Sequence, residues 1–123
     1  MSEDTYISFK DMCARFDVTP RTLRYYEYIE LLSPKKTGRS RFYGPREIAR
    51  MKLILRGRHF GFSLEDIRRW LEIYGKGGTR EQFQQFLTLA DQQMLTLEKQ
   101  IEDLKTARED LQKLRDETAA RLE

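Results

Sequence analysis

The chain is poor in the residues that build most redox and catalytic sites. It holds one cysteine, Cys13, and one histidine, His59, in 123 residues. A lone cysteine cannot close an internal disulfide, which agrees with a reducing compartment. The two residues lie too far apart in sequence to read as a metal site. Cys13 is expected to face the core of a helix as a small apolar group. No nucleophile–base pair and no phosphate-cradling glycine loop can be picked out, so an enzyme is not expected, nor a metal or cofactor. No apolar run approaches the roughly 18 residues of a membrane span. The opening Met-Ser-Glu-Asp-Thr-Tyr also lacks a basic-then-apolar signal region. A cytoplasmic location is the expectation.

Charge is what the chain has in quantity. Asp, Glu, Lys and Arg make up 35% of it, with a net charge of +3. That small number hides an asymmetry. Residues 1–78 carry 16 Lys/Arg against 10 Asp/Glu, a net of +6, and residues 79–123 carry 7 against 10, a net of −3. Residues 19–58 alone carry 11 against 3. A basic half joined to a mildly acidic half suggests a polyanion partner for the first and a different contact for the second.

Within the basic half, Val18 to Tyr28 draws attention first. Thr19 is a good N-cap and Pro20 suits the first helical position, where its missing N–H costs nothing. The following turns put Leu23 inward and leave Arg21, Thr22, Arg24 and Tyr25 on the outer face. Guanidinium and phenol groups reach phosphates, and Arg or Thr can reach base edges, so this face suits a DNA groove. Upstream, Ser8 and Asp11 resemble a capping box opening a helix through about Phe16, with Phe9, Met12, Cys13 and Phe16 at helical spacing. Asp17 and Val18 make the turn between the two, and aspartate tolerates the left-handed region better than most residues. Two short helices joined by a short turn form a helix-turn-helix, whose second member enters the major groove.

Leu31 and Leu32 are expected to anchor the first strand of a hairpin, Pro34 to Ser40 its tip, and Arg41-Phe42-Tyr43 its return. A glycine-bearing loop with Lys35, Lys36, Arg39 and Arg41 reads as a wing along a DNA backbone. Pro45 opens a third helix with Ile48, Met51, Ile54 and Leu55 as its apolar stripe. Its Arg46, Arg50, Lys52, Arg56 and Arg58 are expected to stay wet. Gly61 stops it. Ser63 and Asp66 cap a fourth helix with a stripe of Leu64, Ile67, Leu71 and Tyr74. Trp70 lies one position off that stripe, either in the core or facing a partner.

Gly75-Lys76-Gly77-Gly78 breaks the chain, since glycine disfavours helix. Thr79 and Gln82 offer a capping box for a last helix, and from Glu81 to Leu122 there is neither proline nor glycine. Phe83, Leu87, Ala90, Met94, Leu97, Ile101 and Leu104 alternate spacings of four and three, a coiled-coil seam. Arg108 then falls on the seam while Ala107, Leu111 and Leu114 continue beside it. The expected domains are therefore 1–75 as a DNA-binding head, 76–79 as a linker and 80–123 as a dimerisation helix. The expected fold is mainly α, a winged helix-turn-helix followed by a long coiled-coil helix.

Thr22-Leu23-Arg24-Tyr25-Tyr26-Glu27, then Leu31-Leu32-Ser33-Pro34, then Arg41-Phe42-Tyr43, then Gly61-Phe62-Ser63-Leu64-Glu65-Asp66-Ile67 resemble the MerR family of transcriptional regulators, over about residues 6–74. Four ordered motifs at the expected intervals are a specific signal. The chain departs from the family at Glu30, where glycine is common, and at Ser40, where tyrosine is common. The resemblance implies a homodimer through an antiparallel pair of the long helices, and a pseudo-palindromic promoter operator bent and untwisted for RNA polymerase. The candidate DNA contacts are Thr19, Arg21, Thr22, Arg24 and Tyr25 on the recognition helix and Lys35, Lys36, Arg39, Arg41 and Tyr43 on the wing. Cysteines that sense metals in relatives have no counterpart at the long helix. A small organic effector would need a small site, for which Trp70, Tyr74, Phe83 and Phe86 are candidates. The rival readings are an excisionase-like architectural DNA binder and a coiled-coil adaptor with a basic head.

Overall fold

The structure, a computed structural model, describes residues 5–123, with every side chain among them except those of Tyr74 and Lys76. The place of Tyr74 in the fourth-helix stripe therefore lies outside the described residues. In chain order the elements are β1 (Ile7–Ser8), α1 (Phe9–Phe16), α2 (Pro20–Tyr28), β2 (Lys35–Thr37), β3 (Ser40–Tyr43), α3 (Pro45–Phe60), α4 (Leu64–Lys76) and α5 (Arg80–Ala120). They fall into two compact units that divide between Gly78 and Thr79.

In the first unit, local chemistry sets the helix ends. Ser8 Oγ accepts from the Asp11 N–H, Thr19 Oγ1 from the Thr22 N–H and Ser63 Oγ from the Asp66 N–H, all at 3.1 Å. Each satisfies a first-turn donor that a helix leaves without a partner. Asp17 closes α1 in the left-handed region at φ 53°. Glu30 adopts φ 65° just past α2, a left-handed conformation that glycine takes without a Cβ clash. The side chains of Met12, Leu23, Leu31, Tyr43, Met51, Ile54 and Ile67 are fully buried. Met51 and Ile54 are buried on α3, the helix that packs against both α4 and β3. A Cβ on Gly57 would come within 2.7 Å of Ile67 Cγ1, so this glycine lets α3 and α4 pack closely.

Several expectations are corrected. The first wing strand is not anchored at Leu31 and Leu32: both are buried in a non-strand segment, and the strand is Lys35–Thr37. The hairpin tip shrinks to Gly38-Arg39, with Gly38 at φ 62°, as a two-residue turn with glycine first requires. A third strand, β1, pairs antiparallel with β3 through Ile7 opposite Tyr43 and Ser8 opposite Phe42. Two residues carry too little alternation for a sequence pattern to reveal them. Arg50 is not fully wet: its Nε donates to the Leu31 carbonyl at 2.9 Å. Cys13 is half-buried, not a core residue, and Met12 beside it takes the interior position. Gly75 is inside α4 rather than in a break, because the left-handed stop comes at Gly77, φ 81°.

In the second unit, Thr79 and Gln82 form the reciprocal capping box, and α5 runs 41 residues without interruption. At 1.5 Å per residue that is about 60 Å. None of its residues is buried in the single chain.

Candidate nucleic-acid interface

The outer face of α2 forms an open groove lined by Arg21, Thr22, Arg24, Tyr25, Tyr26, Tyr28 and Arg58. Arg21, Arg24 and Tyr25 are exposed, while Leu23 is fully buried and Tyr26, at the floor of the groove, is 4% exposed, so packing fixes which way the arginines point. Thr19 is exposed, but its hydroxyl oxygen is committed to the helix cap and its O–H donates to Thr22 Oγ1 at 3.0 Å. Tyr28, 83% exposed, and Arg58 at the end of α3 were not among the sequence candidates. The signal for Arg58 was its place on the wet face of α3; what brings that face to α2 is tertiary packing, which no local pattern encodes.

The wing adds Lys35, Lys36 and Arg39, all exposed. Lys35 Nζ lies 5.7 Å from the Tyr6 ring centroid. Arg41 is different: its side chain is 33% exposed and its Nε lies 2.8 Å from Glu27 Oε1. That Nε is buried and at ion-pair distance, though not aligned for a hydrogen bond. Tyr43 corrects the sequence reading outright. It is fully buried, and its hydroxyl donates to Glu27 Oε2 instead of reaching a phosphate. The register explains this: alternate residues of a strand face opposite ways, and pairing with β1 and β2 turns Tyr43 to the core. Burial, and next the bond to the Glu27 carboxylate, push the Tyr43 hydroxyl well above its ordinary pKa and keep it protonated.

Glu27 thus ties α2 to β3. A second carboxylate does similar work at the base of the wing. Glu47 is 5% exposed; its Oε1 accepts from the Ser33 N–H at 2.7 Å and its Oε2 from Arg46 Nη1 at 2.6 Å. Arg50 and Arg68 donate to the carbonyls of Leu31 and Ile29, so the exit from α2 is gripped from α3 and α4. Burial lowers the Arg50 pKa from its usual value. The sequence reading missed all four residues, because charge alone does not tell a gripping side chain from a solvated one.

The candidate ligand residues divide. Trp70 is 5% exposed, with its ring 6.2 Å from those of Phe60 and Phe62 and 6.0 Å from the Arg56 guanidinium, so it belongs to the core of the first unit. Phe83 and Phe86 are on α5, Phe83 49% exposed and Phe86 half-buried. The Tyr74 side chain lies outside the described residues. On α5 the seam residues Leu87, Met94, Ile101 and Leu104 are 53–70% exposed, while Ala90 and Leu97 are intermediate. Among the described residues no cluster of three His, Cys, Asp or Glu could hold a metal ion. No helix among them is long and apolar enough to cross a membrane.

Comparison with known proteins agrees with this geometry. Residues 7–73 match the MerR HTH family regulatory protein profile, and residues 48–114 match the profile described as MerR, DNA binding. An uncharacterized HTH-type transcriptional regulator of Pseudomonas aeruginosa is 36% identical over 101 residues, covering 79% of this chain and 74% of that protein. A MerR family transcriptional regulator from Bacillus cereus superposes with a TM-score of 0.69 at 26% identity, over 84% of this chain and 75% of the other. HiNmlR, a MerR family regulator lacking the sensor domain and bound to promoter DNA, superposes with a TM-score of 0.64 at 22% identity, over 82% and 76% of the two chains. The groove of α2, the wing and these matches lead to one conclusion: the chain belongs to the MerR family of DNA-binding transcriptional regulators.

Proposed function

We propose that the protein works as a homodimer that reads a two-fold symmetric operator inside a promoter. The observation that carries this reading is the pairing of an exposed basic face on α2 and the wing with an exposed apolar seam on α5. Arg21, Thr22, Arg24, Tyr25, Tyr28 and Arg58 are the groove contacts, and Lys35, Lys36, Arg39 and Arg41 hold the backbone beside it. Phosphate contacts supply most of the affinity and a few α2 side chains discriminate bases.

The seam supports dimerisation by simple bookkeeping. Leu87, Met94, Ile101 and Leu104 would otherwise face water over most of their surface. Covering each by a second copy contributes roughly 1 kcal/mol. A long two-stranded coiled coil is the economical cover for a seam of period 3.5. The chain then has the proposed parts, a head of 1–75, a connection at 76–79 and a dimer helix of 80–123. Two heads on one two-fold axis require inverted half-sites separated by whole helical turns. Regulation follows from bending and untwisting the operator between promoter elements, so that RNA polymerase, the second partner, finds them aligned; the cost of that deformation is itself sequence-dependent. Such work is done in the cytoplasm, on chromosomal DNA.

The test is selection of duplexes from a random-sequence pool by the full-length protein, with affinity of the winner followed against salt. The reading requires an inverted repeat and an affinity that falls steeply with salt. Retention of all duplexes alike would favour the architectural binder, and preference for RNA or an acidic protein would favour the adaptor.

A further inference from the structure

Glu27 lies on the recognition helix yet turns from the groove to the wing. Its side chain is only 10% exposed. A carboxylate so placed must recover its lost hydration from local partners. Strand β3 supplies two, the Tyr43 hydroxyl and Arg41 Nε at 2.8 Å. Arg41 has a further neighbour: its guanidinium is 5.8 Å from the centroid of the Phe9 ring. The Arg24 guanidinium, from α2, is 5.2 Å from the same centroid. Two cations from two elements therefore share one aromatic ring, and one of them is anchored to a buried carboxylate. Like charges would separate if left free. A guanidinium carries five N–H donors, and Glu27 engages the Nε side of Arg41. The terminal nitrogens carry the rest.

We propose that Glu27 is a positioning residue for DNA binding: with the Phe9 ring it fixes Arg41 of the wing beside Arg24 of the recognition helix, so that the two meet the DNA backbone as one preorganised cationic site. The proposal rests on the reading that this face binds DNA. Preorganisation is what distinguishes it from a plain staple between helix and strand. A staple holds the fold, and its loss weakens every contact alike. A positioning carboxylate acts through Arg41, so its loss matters only while Arg41 is present. Arg41 presents a planar fork, and holding that fork in place saves side-chain entropy at the moment of binding.

The experiment is a double-mutant cycle on DNA affinity, using the full chain and the duplex that the wild type selects, at one fixed salt concentration. Glu27→Gln keeps shape and a hydrogen-bonding oxygen for Tyr43 but removes the charge. The expected results are about a tenfold loss for Glu27→Gln, a similar loss for Arg41→Ala, and no further loss when the two are combined, since a charge-assisted contact is worth about that much. Combined with Arg21→Ala, the Glu27→Gln loss should multiply in full, because Arg21 has no part in the cluster. Losses for Glu27→Gln and Arg41→Ala that simply multiply would overturn the proposal, as would wild-type affinity in Glu27→Gln. If Glu27→Gln does not fold, Phe9→Leu replaces it in the same cycle: the apolar bulk stays, the ring face goes, and multiplication with Arg41→Ala again rejects the idea. A folded wild-type protein that selects no duplex would instead remove the DNA-binding reading, and the proposal with it.

Discussion

Glu30→Gly is expected to stabilise the protein, although it removes a whole side chain. Glu30 is exposed, and its backbone sits at φ 65° immediately after α2. A Cβ in the left-handed region costs roughly 1–2 kcal/mol. Glycine removes that cost but enlarges the unfolded ensemble, which takes back about 0.5–1 kcal/mol. The balance is a gain of about 0.5–1 kcal/mol, because among the described residues the Glu30 side chain makes no hydrogen bond or ion pair to offset it. For a unit of this size such a gain raises the melting temperature by about 2–8 °C. The assay is thermal unfolding followed by circular dichroism at one protein concentration, since the proposed dimerisation would make the midpoint concentration-dependent. Asp17→Gly is the control. Asp17 is at φ 53°, but aspartate is eased in this region by its short polar side chain, so a smaller gain is expected there. A lowered melting temperature in Glu30→Gly would refute the reasoning, and so would a gain at Asp17 larger than at Glu30.

Three further outcomes follow from the same structure. Arg24→Ala should weaken operator binding and reduce the slope of log affinity against log salt by about one, leaving the proposed dimer intact by sedimentation, because the phosphate contact proposed for Arg24 would be lost. Leu97→Asp, near the middle of the α5 seam, should yield monomers by sedimentation and lose operator binding in parallel, since a carboxylate in an apolar seam has no partner. Burial, the largest influence, raises the Cys13 thiol pKa, with the nearby Arg24 charge pulling it down and Glu27 pushing it up, so less thiolate is present at any neutral or mildly basic pH than for free cysteine. Iodoacetamide should therefore label Cys13 slowly in the folded protein and at the ordinary rate in denaturant, with the folded rate rising as pH is raised.

Much of this fold was legible because its ends are written in short-range chemistry. Ser8, Thr19, Ser63 and Thr79 each cap the helix that the sequence assigned to them. Long helices announce themselves by period, and the α5 seam did so. What was not legible depends on pairing across sequence distance. β1 is two residues long and exists because β3 offers it a partner. The wing was expected to begin at Leu31, since buried leucines look like a strand until the chain around them is seen to be gripped by Arg50 and Arg68. Tyr43 was assigned to DNA because a tyrosine beside wing arginines resembles a phosphate donor. Register decides otherwise, and register is a property of two strands. Arg58 was passed over for the same kind of reason, because its neighbours on α2 are 30 or more residues away in sequence.

The central claim is that two heads read one symmetric site. Hydroxyl-radical footprinting of the full-length protein on the duplex it selects tests this most directly. The account predicts protection in two inverted half-sites on one face of the DNA, whole helical turns apart, with altered reactivity at the unprotected centre where the duplex is untwisted. A single protected stretch without symmetry, from protein that sediments as a dimer, would contradict it.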